Sequence, residues 1–156
     1  MNTSRELKQL RADLDLLIVL AKQLTPSREV SLAFTKLQEG KMHVGNTIFE
    51  TEDYKVYVNS NDPSNKIIDA YHVDSEIIAM QTPNDWSPDH VERVKILRRE
   101  LSAMLVRIKS IGDELTLLPS QLFARDFLLT SYIKMRECQN WFGMELARIR
   151  ESSITK

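Results

Sequence analysis

Val94, Leu97, Leu101, Met104, Ile108, Ile111 and Leu115 step by three and four through three heptads, and this spacing constrains the chain more than any other feature. An apolar residue every 3.5 positions draws one stripe along an α-helix, and such a stripe is stable only when other helices cover it. Leu7, Leu10, Leu14, Leu17, Ala21 and Leu24 repeat the pattern behind a "TSRE" capping box, predicting a first helix over roughly 4 to 23. Val30, Phe34, Leu37, Val44 and Ile48 carry it through a second helix to about residue 50. Leu128, Tyr132, Met135, Phe142 and Leu146 carry it through a fourth, to about 150.

The connections say how these helices pair. "LTPS" at 24–27 ends one helix and starts the next, with Thr25 as the expected cap and Pro26 in the first turn. "WSPDH" starts the third helix, with Ser87 as the expected cap, and "LLPS" at 117–120 separates it from the fourth. Such short links imply antiparallel hairpins. The expected organisation is a first hairpin over 1–50, an acidic insert over 51–86 and a second hairpin over 87–156. A shift of 98 residues aligns "KLQEGKMHVG" with "KMRECQNWFG", matching Lys36 with Lys134, Glu39 with Glu137 and Gly45 with Gly143. Each copy breaks its seam at one polar residue, Lys41 or Gln139. With the repeated Pro-Ser turn, this points to an internal duplication.

The insert has another texture. "YKVYVN" at 54–59 alternates as a strand does, and "SNDPSN" is a turn. A two-stranded ribbon is marginal in water, so this segment needs the helices or another subunit to lie against. The expected fold is mainly α: four helices in two hairpins, an irregular insert with short strands, and assembly into an oligomeric bundle.

Charge is segregated, although the chain as a whole is at −1. Residues 1–49 and 93–156 are mildly basic and the middle is strongly acidic, which opposes nonspecific DNA binding and leaves cationic faces for a smaller anion. The longest apolar run, "LLIVLA", is far short of the ~20 residues that span a bilayer, so no membrane partner is expected. The lone Cys138 allows no internal disulfide and suits a cytoplasmic setting.

Signs of catalysis are missing. His43, His72 and His90 do not pair at metal-ligand spacing, and no HExxH, CxxC, P-loop or GxSxG pattern occurs. Asp13 and Asp15 are close in sequence but point different ways on a helix, so they make no acid–base pair. No enzyme, cofactor or metal site is expected. Helix two instead gathers cations: Arg28 in its first turn, Lys36 midway and Lys41 in the seam. Lys41 has three readings: a side chain reaching for water along the hairpin edge, a polar residue setting register, or a phosphate ligand.

Within "SREVSLAFTKLQEGKMHVG", residues Ser27, Arg28, Glu29, Ser31, Leu32, Ala33, Thr35, Lys36, Leu37, Gln38, Glu39, Met42 and Gly45 carry a likeness. The stretch resembles the helical-hairpin domain of phage anti-CBASS and anti-Thoeris signal sponges, which sequester nucleotide messengers of bacterial immunity. "YVNSNDPSNKI" resembles the polar tail that follows in that family, so the likeness covers about residues 5–75. His43 stands where the family has Trp, and the second hairpin keeps little of the motif. The resemblance implies a homo-oligomer in the cytoplasm of an infected bacterium, binding a cyclic di- or trinucleotide or a cyclic ADP-ribose-type signal without cleaving it. Together with the residue pattern it nominates Arg28, Thr35, Lys36, Lys41, Tyr57 and Asn61 as ligand-binding. The rival expectation is a helical adaptor that binds a protein partner and no nucleotide.

Overall fold

A computed structural model describes residues 3–51, 89–117 and 121–154, and within them the chain forms four helices and no strand. They are α1 (Thr3–Ala21), α2 (Arg28–Glu50), α3 (His90–Thr116) and α4 (Leu122–Ile154). The expected strand at 54–59, with Tyr57 and Asn61, lies outside the described residues.

The starts of α2 and α3 each use a cap one position past a proline. Ser27, not Thr25, caps α2: its hydroxyl accepts from Val30 N–H at 3.1 Å. Asp89, not Ser87, caps α3, accepting from Glu92 N–H at 2.9 Å. Proline therefore precedes the cap in "TPSR" and "SPDH" instead of filling the first turn. Both caps have the extended backbone of an N-cap, and each accepts with its side-chain oxygen from the amide three residues on.

Every seam residue of α3, from Val94 to Leu115, is buried within this single chain. The α3 stripe is covered by α1 and α4 of the same chain. Around the bundle, α1 packs on α2, α2 on α4, α4 on α3 and α3 on α1. Ion pairs and hydrogen bonds place each neighbour antiparallel: Asp15 with Lys41, Lys36 with Glu137, Ser102 with Gln139, and Asp13 with Arg107. It follows that α2 and α3 run parallel across the diagonal. The end of α2 and the start of α3 therefore lie at opposite ends of the bundle, about 35 Å apart at 1.5 Å per residue.

The most extensive packing joins the hairpins, between α2 and α4. Lys36 Nζ reaches Glu137 at 2.9 Å, and Lys134 Nζ reaches Glu39 at 3.1 Å. The shift of 98 residues exchanges these two pairs. Contacts that swap in this way mark a two-fold interface, here built inside one chain. The equivalent positions 141 and 43 both carry rings at this interface, with unlike partners. Trp141 lies under the Arg28 guanidinium, 5.6 Å from ring centroid to Cζ, while His43 stacks on Phe127 at 6.4 Å.

At the centre of this interface Gly40 lets the backbones meet. Ser131 Oγ donates to Gly40 O at 2.8 Å, and a Cβ at Gly40 would come 2.8 Å from Met135 Cγ. Gly40→Leu should therefore force α2 from α4 and cost about 1–3 kcal/mol, the range for overpacking, although leucine is the better helix former. Chemical denaturation followed by circular dichroism would measure the loss.

Candidate functional site

The polar seam residues are the place to start. Lys41 leaves the α2 seam and pairs with Asp15 on α1. Gln139, its counterpart, donates to Ser102 Oγ at 2.5 Å and to Arg98 O at 3.0 Å on α3. A shift of 87 residues carries α1 onto α3, matching Lys8 with Lys95, Leu10 with Leu97, Arg11 with Arg98, Leu14 with Leu101, Val19 with Val106 and Lys22 with Lys109. Under that shift Asp15 falls on Ser102. Each hairpin thus locks its two helices with one polar bridge at an equivalent level, which is a register device in physical terms.

Beside the first bridge a groove of about 720 Å³ runs between α1 and α2. Arg11, Lys22 and Lys41 bring cations to it, Asp15 one carboxylate, and Gln38 and Asn46 their amides. Val19, Met42 and Phe49 add apolar surface, and all three are exposed. Fixed cations, amides and an apolar wall together suit an anion that carries flat rings.

The other nominated residues lie elsewhere. Arg28 is exposed on Trp141, and Lys36 is paired to Glu137, whose hydrogen bond raises its pKa above the ordinary lysine value. Thr35 donates its hydroxyl to Ser31 O at 3.1 Å. The structure thus brings Lys41 to the groove and sets Arg28 and Lys36 against α4. Sequence reasoning missed Arg11 and Lys22. The signal was available in the 87-residue match, since both are basic in both copies.

The carboxylates Asp13 and Asp15 do diverge. Asp15 joins Lys41, whereas Asp13 is fully buried and accepts from Arg107 Nη1 at 2.6 Å and Gln9 Nε2 at 3.2 Å. The Cys138 thiol is buried in the core, and that burial pushes its pKa far above the ordinary thiol value, so it is no nucleophile.

Ser27, His90 and Glu145 meet where the α1–α2 turn touches α3 and α4, and their identities suggest a hydrolytic triad. The order of the bonds does not. Ser27 Oγ donates to Glu145 at 3.0 Å, and His90 Nε2 lies 2.6 Å from the other carboxylate oxygen. His90 Nδ1 accepts from Thr25 N–H at 3.1 Å, leaving no ring nitrogen to take a proton from Ser27. Glu145 is the hub, also bound by Arg148 Nε at 2.8 Å. Burial raises its pKa, but donation from Arg148, His90 and Ser27 outweighs burial and holds it below the ordinary glutamate value. A carboxyl lowered on folding stabilises at neutral pH, and that stability is lost as pH falls through the folded pKa. Glu145→Gln should therefore be less stable than wild type at pH 7 and lose less stability on acidification, as urea titrations between pH 7 and pH 3 would show.

Comparison with family models, curated proteins and solved structures finds no match to this chain.

Proposed function

We propose that this chain is a non-catalytic binding protein for a nucleotide-derived anion, a cyclic oligonucleotide or cyclic ADP-ribose-type messenger, which it withholds from bacterial anti-phage defence. The α1–α2 groove carries the reading: three cations, two amides and an aromatic edge line a space of about 720 Å³. Pockets for small ligands fall in the range ~300–1,000 Å³. The likeness of "SREVSLAFTKLQEGKMHVG" to signal sponges supplies the ligand class.

Assembly belongs to the same reading. On α4 the exposed side chains Leu122, Leu129, Ile133 and Met144 fall on one outward stripe at helical spacing. A second copy is the proposed occupant, and Ile133→Asp should shift the chain toward monomer in light scattering. A wild-type chain that is monomeric at micromolar concentration would remove this part.

Thermal-shift screening of cyclic dinucleotides, cyclic trinucleotides and cyclic ADP-ribose isomers tests the function. Ligand at a hundred times Kd adds about 2.7 kcal/mol, which raises Tm by roughly 5–10 °C in a chain of this size. Intact ligand should be recovered after heat denaturation. Cleaved ligand would make the protein an enzyme, and no shift with any of these ligands would favour the adaptor.

A further inference from the structure

The second hairpin has its own groove, on the equivalent side. About 500 Å³ in volume, it runs between α3 and α4 and is lined by Lys95, Arg98 and Arg150 above Val91, Leu146 and Ile149. The repeat matches Arg98 with Arg11 and Gly143 with Gly45, so the two grooves share an arginine and a glycine, while Lys95 and Arg150 belong to the second alone. Their electrostatics differ. The first holds Asp15 bound to Lys41, whereas no carboxylate lines the second. Among the described residues neither Lys95, Arg98 nor Arg150 makes an ion pair.

Arg98 is held in place. Its guanidinium lies across the α4 backbone at Gly143, where an added Cβ would stand 3.3 Å from Nη2 and 3.4 Å from Cζ. Its Nε is enclosed by the protein, so contact with a ligand falls to the terminal nitrogens. A planar guanidinium offers two parallel N–H groups, the geometry that phosphate oxygens take up.

We infer that the α3–α4 groove is an anion site that takes a compact phosphate-bearing ligand, through Arg98 cradled on Gly143 and flanked by Lys95 and Arg150. It has no aromatic wall and no amide among the lining residues, so it reads phosphate and not base. One chain then carries two unlike sites, the first for a messenger with rings and the second for phosphate alone. The second stands whether or not the first binds a nucleotide.

Inorganic pyrophosphate is the probe, titrated into the full ¹⁵N-labelled chain and followed by NMR at Arg98 Nε–H and the Gly143 amide. Saturable shifts at both positions are expected. Arg98→Ala and Gly143→Val should each weaken binding at least tenfold, and Arg11→Ala should leave it within twofold. Lys95→Ala/Arg150→Ala alters only surface cations, so it reports on the site even if Gly143→Val disturbs the fold, and it too should weaken binding at least tenfold. Non-saturating shifts, undiminished affinity in Arg98→Ala, or saturable shifts at Gly45 in place of Gly143 would overturn the assignment. Cyclic-nucleotide binding is scored separately, on Lys41 variants, so either site can fail alone.

Discussion

Asp13→Ala should lower stability by about 3 kcal/mol, or roughly 6–12 °C in Tm. The Asp13 carboxylate is fully buried while Arg107 keeps 24% of its side chain exposed. Removing the acid leaves a cation that still reaches water, so the cost sits at the low end of the 3–5 kcal/mol typical of a broken buried pair. Asp13→Leu combined with Arg107→Met should recover most of the loss, because two apolar side chains leave no charge unpaired. Calorimetry of both single variants and the double variant would measure the coupling. If the double variant is no more stable than either single one, the pair is not what joins α1 to α3.

Arg11→Ala and Lys41→Ala should each weaken messenger binding by about ten- to a hundredfold, since a charge-assisted contact to phosphate contributes roughly 1.5–3 kcal/mol. Lys41→Ala should lose more, because it also uncovers the Asp15 carboxylate in the groove. Asp15→Asn separates two roles for Lys41. A lysine that only sets register would lose its partner and the chain some stability, with no effect on ligand. A lysine that binds phosphate would be released toward it, and affinity should rise by about two- to tenfold while stability falls slightly. Arg28→Ala provides the contrast. A loss confined to Arg28→Ala would move the site to the side of α2 where Arg28 meets Trp141.

The helices were legible because heptad spacing is local: Leu7 to Leu24 and Val94 to Leu115 announce their stripes without help from distant residues. The partner of each stripe was harder. Seam patterns say that α2 is covered and not by what, so the tight pairing of α2 with α4 emerged only when Gly40 was seen against Met135 and Ser131. The caps were misread for a local reason, since proline at "TPSR" and "SPDH" fits a first turn as well as the position before a cap. The seam break at Lys41 was visible, but its meaning needed Asp15, a residue 26 positions away whose side chain faces Lys41 only in the folded hairpin. Arg11 and Lys22 stand out only when the two hairpins are aligned helix by helix, because no single shift superposes both pairs. The α1–α3 copies align at 87 residues and the α2–α4 copies at 98, since α3 runs on past the equivalent of the α1 end and α4 begins before the equivalent of the α2 start. Tyr57 and Asn61 fall outside the described residues, so helix two alone carries the placed part of the expected site.

Isothermal titration of the best-binding cyclic nucleotide into wild type, Asp15→Asn and Lys41→Ala tests the central claim most directly. The account predicts affinity in the order Asp15→Asn, wild type, Lys41→Ala, spanning at least tenfold from wild type to the last. No binding by wild type, or equal affinity in all three, would contradict it.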